Sequence, residues 1–422
     1  REWLYQVTWQ AAPLPVDVPG EPAAEAQVLG QHWLIFADTQ GIGRDLAERL
    51  QADQATATLV YPAIAAAPID DHVFAINPTR ATDYQQLLAT VPPVDRVIYL
   101  WGAEPLHLDG NANLVDQSKS TCGAALLLVQ ELLHRQANGI QIYLVTQGAQ
   151  AVVPTDRVAN FPQATLWGLG KVIALEYPEL PCVCIDLEDS PAQIDTAGLG
   201  ERLYQTVMAT APADRQENQV AIRDRERYVA RLNRYQCRPS QPLHIESDGT
   251  YLITGGLGGL GLLTAKWLVD QGARHLLLVG RSAPSAGTEH QLTDLREQGV
   301  TITVRQVDVT EQAAVQQLLA DIDSRHPLRG LIHSVGVLDD GLLLQQNWTR
   351  FAQVLAPKLQ GSWNLYQALH ATNSIETLDF FVLYSSAAGL LGNWGQANHA
   401  AANAVLDAFA HYGRAQGLPL LS

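Results

Sequence analysis

The residues best suited to chemistry in this sequence are the five glycines between positions 255 and 261. They follow Thr254 and a short apolar run at residues 251–253, which predicts a buried strand. Residues 262–270 carry apolar side chains at helical spacing, and this pattern stops at Gly272. A strand, a glycine loop and a helix N-terminus together can cradle a phosphate, because glycine admits close approach and the helix end offers free N–H groups. The sequence therefore predicts a site for a dinucleotide pyrophosphate.

The ends of the following strands supply candidate contacts to such a dinucleotide. Arg281 lies just after an apolar strand at residues 275–279. An arginine there suits a ribose 2′-phosphate, whereas an acid would bind a free 2′-hydroxyl, so Arg281 favours NADPH over NADH. The next two strands end at Asp308, a candidate adenine contact, and at residues 334–336, beside the expected nicotinamide half.

Composition and charge narrow the class of protein. The 422 residues suffice for two domains, and a hydrophobic content of 47% indicates well-filled cores. A net charge of −16 argues against nucleic-acid or anionic-membrane binding. No apolar run approaches the roughly 18 residues that span a bilayer, and no signal peptide opens the chain. The four cysteines form neither a disulfide framework nor a zinc-binding spacing, so we expect no metal and a cytoplasmic location.

Strands and helices alternate along the chain, which predicts an α/β fold of parallel sheets with helices on both faces. The chain also resembles itself, because residues 33–50 align with residues 251–268 and Gly41 falls on Gly259. We therefore expect two Rossmann-like, doubly wound subdomains. Their boundary is predicted in a polar, proline-bearing run at residues 233–242, which divides the chain into residues 1–238 and residues 239–422.

The two copies differ in their loops. The first carries Phe-Ala-Asp at residues 36–38, where the second has Thr-Gly-Gly. The carboxylate of Asp38 would repel a pyrophosphate, and Ala37 lacks the conformational freedom of glycine. We therefore expect the N-terminal copy to be degenerate, structural and without a cofactor.

These motifs resemble those of the short-chain dehydrogenase/reductases: the Thr-Gly-x-x-x-Gly-x-Gly loop, then Gly-Arg-Ser, Val-Asp-Val and His-Ser-Val-Gly at successive strand ends. More narrowly, the chain resembles, nearly end to end, the ketoreductase domain of a modular polyketide synthase, in which a degenerate structural copy precedes the catalytic half. The segments similar to signatures of that family are residues 166–170, 337–341, 354–361, 383–389 and 395–403.

The resemblance implies roles for individual residues. Ser386, at the end of an apolar strand, would hydrogen-bond the substrate carbonyl. Lys358, in the helix after Pro357, would orient the site and lower the pKa of the neighbouring proton donor. Asn403 lies four residues after position 399, hence on the same helix face, and would hold an ordered water of the proton relay. An asparagine in an alanine-rich helix costs helix propensity, which itself points to a site.

The resemblance also places NADPH against the glycine loop and the strand ends. The residues implied are Thr254, Gly255, Gly256, Leu257, Gly258, Gly259, Leu260, Gly261, Arg281, Ser282, Asp308, Val309, Ser334, Val335 and Gly336.

Position 399 departs from the family, which has a tyrosine there as proton donor to the developing alkoxide, whereas this chain has His399. Imidazole can act as a general acid, but its reference pKa is roughly 6.5 against about 10 for tyrosine. The Lys358 ammonium would disfavour the imidazolium further. Two interpretations stay open: His399 is a working but weaker donor, or the domain binds NADPH without reducing a substrate. Because Ser386, Lys358, Asn403 and the loop remain, we expect activity.

Stereochemical markers follow from the same resemblance. Leu338, Asp339 and Asp340 resemble the motif of the group that yields a D-configured (3R) hydroxyl. The competing group has a tryptophan eight residues before the donor, where this chain has Leu391, with Trp394 nearby. The family continues beyond residue 422 into another strand and a substrate lid, so we expect the catalytic half to end before that strand.

The resemblance thus implies NADPH-dependent reduction of the β-keto group of a polyketide intermediate. The expected partners are an acyl carrier protein, with a phosphopantetheine-tethered β-ketoacyl chain, and neighbouring synthase domains, with no nucleic acid and no membrane. The alternative is a reductase-inactive structural or cofactor-binding module. A free-standing dehydrogenase of small alcohols is disfavoured by the duplicated N-terminal half.

Overall fold

A computed structural model describes residues 4–13, 28–64, 66–136, 139–189, 196–209, 217–235 and 244–422. These residues form two sheets, one in each half of the chain. The predicted boundary at residues 238 and 239 lies outside the described residues and stays a prediction.

The first half carries one large sheet. Its strands are β1 (Tyr5–Ala11), β2 (His32–Phe36), β3 (Thr56–Pro62), β4 (Ala67–Asp70), β5 (Val73–Ile76), β6 (Arg96–Tyr99), β7 (Gln141–Gln147), β8 (Cys182–Leu187), β9 (Gln219–Arg223) and β10 (Glu226–Arg234). Its helices are α1 (Ile42–Ala52), α2 (Ala81–Thr90), α3 (Leu114–Ser118), α4 (Ala124–His134), α5 (Thr165–Glu176) and α6 (Thr196–Ala209). The strands pair in the order β1-β10-β9-β8-β7-β6-β2-β3-β5-β4. Pairing is parallel from β9 to β5, and β1, β10 and β4 add antiparallel edges.

The second half repeats the parallel core of the first. Its strands are β11 (Thr250–Thr254), β12 (His275–Gly280), β13 (Thr301–Gln306), β14 (Leu328–His333), β15 (Phe380–Leu383) and β16 (Leu420–Leu421). Its helices are α7 (Gly259–Asp270), α8 (Ala286–Glu297), α9 (Gln312–Ala320), α10 (Trp348–Ala371), α11 (Ala387–Leu391) and α12 (Ala397–Ala415). The order β13-β12-β11-β14-β15-β16, with every pair parallel, is that of a dinucleotide-binding fold. The predicted α/β fold with two Rossmann-like subdomains is confirmed.

The central strands are continuous apolar runs because both faces of each sheet are covered. In β2, Leu34 and Phe36 point into one core, and Trp33 and Ile35 point into another on the opposite face. All four side chains are fully buried. Because β2 and β11 are parallel to their neighbouring strands, the loops that follow them lie at the carboxyl edge of each sheet.

The loop after β2 supplies a side-chain acceptor for the free N–H groups at the start of α1. The two carboxylate oxygens of Asp38 accept hydrogen bonds from the backbone N–H groups of Gly41, Ile42 and Gly43, at 2.8, 3.1 and 2.7 Å. Asp38 is buried and stands where a phosphate would otherwise meet the positive end of α1. The carboxylate predicted to repel a ligand therefore also caps the helix.

The two halves share one hydrophobic core across the contact between α5 and α12. A Cβ added at Gly168 of α5 would lie 2.4 Å from the carbonyl of Ala400, so only glycine permits this approach. At Gly170, two residues on, a Cβ would lie 2.5 Å from the sulfur of Cys184 on β8. The two glycines of the Leu-Trp-Gly-Leu-Gly segment thus serve opposite faces of α5.

The end of the chain differs from expectation. Leu420 and Leu421 form the short strand β16, which pairs in parallel with β15. A strand after α12 therefore begins within the chain, where the sequence was expected to stop before it. Two residues with one apolar side chain buried give too short a pattern to be recognised from sequence.

A substitution tests the helix contact between the halves. Gly168→Ala should lower the free energy of unfolding by about 1–3 kcal/mol, because the added methyl group meets main-chain atoms that cannot move aside cheaply. Urea unfolding followed by tryptophan fluorescence measures the change. Gly287→Ala is the matched control, since its Cβ would have no neighbour closer than 3.9 Å, and it should be neutral or stabilising by up to about 1 kcal/mol. Equal effects of both substitutions would contradict the assignment.

Candidate active site

Two connected clefts open at the carboxyl edge of the second sheet, where the strand order reverses between β11 and β14. One, of about 680 Å³, runs past the ends of β12 and β13. The other, of about 910 Å³, runs past the end of β15 to α12. Both are lined by Gly255, Gly258 and residues 334–336, so they meet at the glycine loop.

The glycine loop is shaped as an open cradle. Gly255 has a φ of +70°, and a Cβ there would lie 3.0 Å from the main chain of Ser334. A Cβ at Gly261 would lie 2.2 Å from the carbonyl oxygen of Gly255, whereas one at Gly259 would meet nothing within 4 Å. The loop therefore folds tightly on itself and leaves one side open, at the first turn of α7. An open helix start of this kind fits a pyrophosphate. The corresponding turn of α1 is not open, because Asp38 closes it.

Helix α7 begins at Gly259, three residues before the predicted helix, because the glycines of its first turn carry no apolar pattern. The remaining loop residues, Gly256, Leu257 and Leu260, lie at the predicted place. Gly256 would bring a Cβ to 2.7 Å from the carbonyl oxygen of Ile253, and Leu257 and Leu260 line the two clefts.

The predicted adenosine contacts gather in the smaller cleft. Arg281, Ser282, Asp308 and Val309 all line it. The guanidinium of Arg281 is exposed, and one carboxylate oxygen of Asp308 accepts from the N–H and hydroxyl of Thr310 at 3.0 and 2.8 Å. Asp308 is thus held in a fixed orientation at the end of β13.

Lys358 is buried and aimed at the larger cleft. Its ammonium donates to the carbonyl oxygen of Tyr384 at 2.8 Å, just after β15. Burial lowers the pKa of Lys358 to about 8, although the nearby carboxylate of Asp407 opposes this shift. The lysine of the predicted site therefore links α10, which carries it, to the end of β15.

His333 fixes the placement of that lysine and was missed by the sequence reasoning. The Thr254 hydroxyl donates to its Nδ1 at 2.7 Å, and its Nε2 donates to the carbonyl oxygen of Pro357 at 2.9 Å. The carbonyl at Nε2 requires the proton on that nitrogen. Burial, and then the charge of Lys358, lower the pKa of His333 to about 3. A neutral imidazole thus ties β11 and β14 to α10.

Ser386 both caps a helix and borders the larger cleft. It is the N-cap of α11, and its hydroxyl oxygen accepts from the N–H of Ala388 at 3.2 Å. It also lines the larger cleft, together with Lys358 and His399. Capping the helix leaves the hydroxyl proton of Ser386 free to be donated into the cleft, because an accepting hydroxyl still has its own proton.

His399 and Asn403 share one face of α12, as their spacing predicts. The side-chain amide of Asn403 donates to the carbonyl oxygen of His399 at 2.8 Å, and Asn403 is fully buried. Nδ1 of His399 and Oδ1 of Asn403 are buried with no protein partner among the described residues. Burial lowers the pKa of His399, Lys358 lowers it further, and Asp340 opposes them.

The predicted stereochemical markers lie on one loop above the same cleft. Leu338 is exposed and lines the cleft, whereas Asp339 is held by Arg350, which donates to its carboxylate at 2.9 and 2.6 Å. The amide of Asn398 donates to the Asp339 carbonyl oxygen at 2.7 Å. The ion pair lowers the pKa of Asp339. The loop is therefore tied to the residue immediately before His399, a link the sequence reasoning did not contain.

Known protein families match both halves of the chain. The family described as polyketide synthase extender module SpnB, Rossmann fold domain, matches residues 7–232, and the KR domain family matches residues 249–422. Polyketide synthase GfsA of Streptomyces halstedii is 33% identical over 435 residues, which cover 100% of this chain and 5% of that protein. Pikromycin polyketide synthase component PikAIII of Streptomyces venezuelae is 39% identical over 65% of this chain and 17% of its own length.

Solved structures agree with these matches. The structure of A-type ketoreductases from a modular polyketide synthase is 26% identical, with a TM-score of 0.77, over 99% of this chain and 82% of that one. The chain belongs to the ketoreductase domains of modular polyketide synthases, with their structural Rossmann subdomain, within the short-chain dehydrogenase/reductases. Such domains are NAD(P)-binding Rossmann reductases that act on β-keto groups. The predicted resemblance is confirmed, and the chain spans about 5% to 17% of the length of the two curated relatives.

Neither a membrane-spanning helix nor a metal-binding cluster occurs among the described residues. None of the helices found there has the length and apolar character needed to cross a membrane. In the same residues, no group of three or more histidine, cysteine, aspartate or glutamate side chains is arranged to hold a metal ion.

Acid titration tests the neutral state of His333. Its pKa is about 3 in the folded protein and roughly 6.5 when unfolded, so the unfolded state binds more protons between these values. Stability should therefore fall as the pH falls from about 6.5 toward 3, by up to about 1.4 kcal/mol per pH unit for this group. In His333→Gln the slope of unfolding free energy against pH should be shallower by one proton. An unchanged slope in His333→Gln would contradict the assignment.

Proposed function

We propose that the chain is an active reductase that uses NADPH to convert a β-ketoacyl thioester into a D-configured (3R) β-hydroxyacyl thioester. The observation that carries the proposal is one continuous cleft. It joins the open glycine cradle to Ser386, Lys358 and His399. A structural module would have no need of a buried lysine at the end of an open cleft, because burying an ammonium group costs free energy.

The side chains of the cleft suit reduction of a carbonyl group. When bound, the nicotinamide cofactor supplies a hydride to the carbonyl carbon. Ser386 and the ring N–H of His399 would donate hydrogen bonds to the oxygen, on which negative charge then develops. Both groups are held in place before the substrate arrives, Ser386 as a helix cap and His399 on the long helix α12.

His399 would also supply the proton. In the imidazolium form it transfers a proton to the alkoxide oxygen, becomes neutral, and regains its proton from water. Burial and the Lys358 charge lower its pKa, so only a small fraction is protonated at neutral pH. The proposed reaction is therefore expected to be slow at neutral pH and faster in mild acid.

Arg281 supports NADPH as the reductant. Its exposed guanidinium stands at the end of β12 in the cleft that also holds Asp308. A planar, permanently charged group there can pair with a 2′-phosphate through two hydrogen bonds.

The loop of residues 338–340 and the family support the rest of the proposal. Leu338 borders the larger cleft, and the Leu-Asp-Asp sequence resembles the motif of the group that yields D-configured alcohols. The relatives are polyketide synthases far longer than this chain. We therefore propose an acyl carrier protein, with its phosphopantetheine-tethered chain, and neighbouring synthase domains as partners.

One observation favours the second candidate, a cofactor-binding module without turnover. The imidazole that replaces the family's tyrosine is predominantly neutral at pH 7, and a neutral imidazole is a poor acid. The open cradle would still bind NADPH in such a module.

Cofactor selectivity tests the assignment of Arg281. Arg281→Ala should weaken NADPH binding about 10- to 100-fold, because a charge-assisted pair with the 2′-phosphate is lost. Binding of NADH, which has no such phosphate, should change less than about threefold. Nicotinamide fluorescence or calorimetric titration gives both dissociation constants. Arg305→Ala, at an exposed arginine of the neighbouring strand, is the control and should alter neither constant. Equal losses for the two cofactors would contradict the assignment.

The pH profile of turnover tests the donor at position 399. With a β-ketoacyl thioester and NADPH, the wild-type rate should fall about tenfold per pH unit above the lowered pKa of His399, because the imidazolium form disappears. His399→Tyr should be faster at pH 7–8 and lack that decline. His399→Phe has the same shape as tyrosine without the hydroxyl, and should be slow at every pH.

The two candidate functions give different results in that experiment. One outcome would contradict the proposal that the chain is an active reductase: wild-type protein binds NADPH but shows no turnover at any pH, and His399→Tyr restores turnover. That outcome would support the cofactor-binding module. Chiral analysis of the product tests the configuration, since a predominant (3S) product would contradict the assignment from residues 338–340.

A further inference from the structure

The first half of the chain places a carboxylate against the loops of the candidate active site. Glu176 lies in the last turn of α5 and is 7% exposed. One of its oxygens accepts from the backbone N–H of Leu343 at 2.8 Å, and the other accepts from the backbone N–H of Gly395 at 2.8 Å. These donors are 167 and 219 positions away in the sequence.

Local helix energetics do not account for this glutamate. An acidic side chain in a last turn faces the negative end of the helix dipole, which disfavours it. No basic side chain lies in the last turn of α5 to compensate. A buried carboxylate is also unfavourable unless its oxygens are hydrogen-bonded. The two amides satisfy both oxygens, so the reason for a carboxylate at this position lies in the loops and not in α5.

Both amides belong to segments that border the larger cleft. Leu343 follows the loop that carries Leu338 and Asp339, and Gly395 lies two residues before the start of the helix that carries His399. The N–H of Gly341 also donates to the carbonyl oxygen of Gly395 at 2.7 Å, so the two segments are bonded to each other as well.

A second contact extends the same arrangement. The ammonium of Lys171, one helical turn before the end of α5, donates to the carbonyl oxygen of Gly389 at 2.8 Å. Gly389 lies in α11, the helix capped by Ser386. A Cβ at Gly392 would lie 2.7 Å from Leu175, so the chain that leaves α11 is seated directly on α5. One helix of the structural half thus contacts the segments around Ser386 and His399 and also the loop of residues 338–343, which we call the marker loop.

We propose that Glu176 is a positioning residue of the active site, which fixes the marker loop relative to the proton donor by binding both segments with one carboxylate. Without this carboxylate, the two segments would keep their covalent connections but would lose the hydrogen bonds that hold both of them to α5. The inference rests on the proposed function only where turnover is measured, because the positioning itself is a property of the folded protein.

Amide hydrogen exchange in Glu176→Gln tests the proposal. A glutamine has the same shape but only one accepting oxygen, so at least one of the amides of Leu343 and Gly395 should exchange about tenfold faster or more. The NADPH dissociation constant should not change, since the glycine cradle is made elsewhere. Glu131→Gln is the matched control: Glu131 is also buried in the first half, but its partner is the neighbouring Arg135 at 2.8 Å. It should leave both exchange rates unaltered.

A second variant and a second readout separate positioning from simple stability. Glu176→Asp keeps the charge but is one methylene shorter, so it cannot reach both amides and should also accelerate exchange of at least one. In both variants kcat should fall about tenfold with the KM for NADPH unchanged, and the share of (3S) product should increase. Lower thermal stability in both variants with unchanged exchange of Leu343 and Gly395 would overturn the proposal. A wild-type protein without turnover would refute the proposed function alone, because the exchange measurement still decides the question of positioning.

Discussion

The arrangement of the candidate site depends on how closely α5 of the first half approaches α12 of the second. Gly168 provides the approach, since any side chain there would meet the main chain of Ala400. On the other side of the contact, α12 presents alanines, and its buried face includes Ala397, Ala400 and Ala401. Small residues on both helices bring α5 within hydrogen-bonding reach of the segments around the cleft. The structural first half thereby supports the segments that form the candidate site of the second half.

The two halves solve the same electrostatic problem in different ways. Each has a helix whose first-turn amides point outward and need an acceptor. In the first half the chain supplies its own anion, because both oxygens of Asp38 accept from three of these amides. In the second half Gly256 stands at the corresponding position, and the helix start faces an open cleft. The aspartate of the first half therefore closes a helix start that the glycine of the second half leaves open.

The parts of the molecule that could be predicted from sequence are those whose signals are local. The strand predicted at residues 275–279 has nearly these bounds in the structure, His275–Gly280, since apolar runs and strand-end motifs are short-range patterns. The shared face of His399 and Asn403 followed from helix periodicity. The contacts that orient the site could not be found in this way. Glu176 is separated from its donors by more than 160 positions, and nothing in the sequence around His333 shows that it bridges Thr254 and Pro357.

The replacement of tyrosine by His399 reverses the benefit of the surrounding charges. A nearby ammonium favours the loss of a proton from either group, so it lowers the pKa of a phenol and of an imidazolium alike. A phenol starts at about 10 and is brought toward neutrality, where a general acid works best, whereas an imidazolium starts at roughly 6.5 and is moved away from it. Burial raises the pKa of a phenol but lowers that of an imidazolium, so at His399 burial and Lys358 act in the same direction. Asp340 opposes both without reversing the shift. An environment that suits a tyrosine therefore makes a histidine a good hydrogen-bond donor and a weakly populated acid.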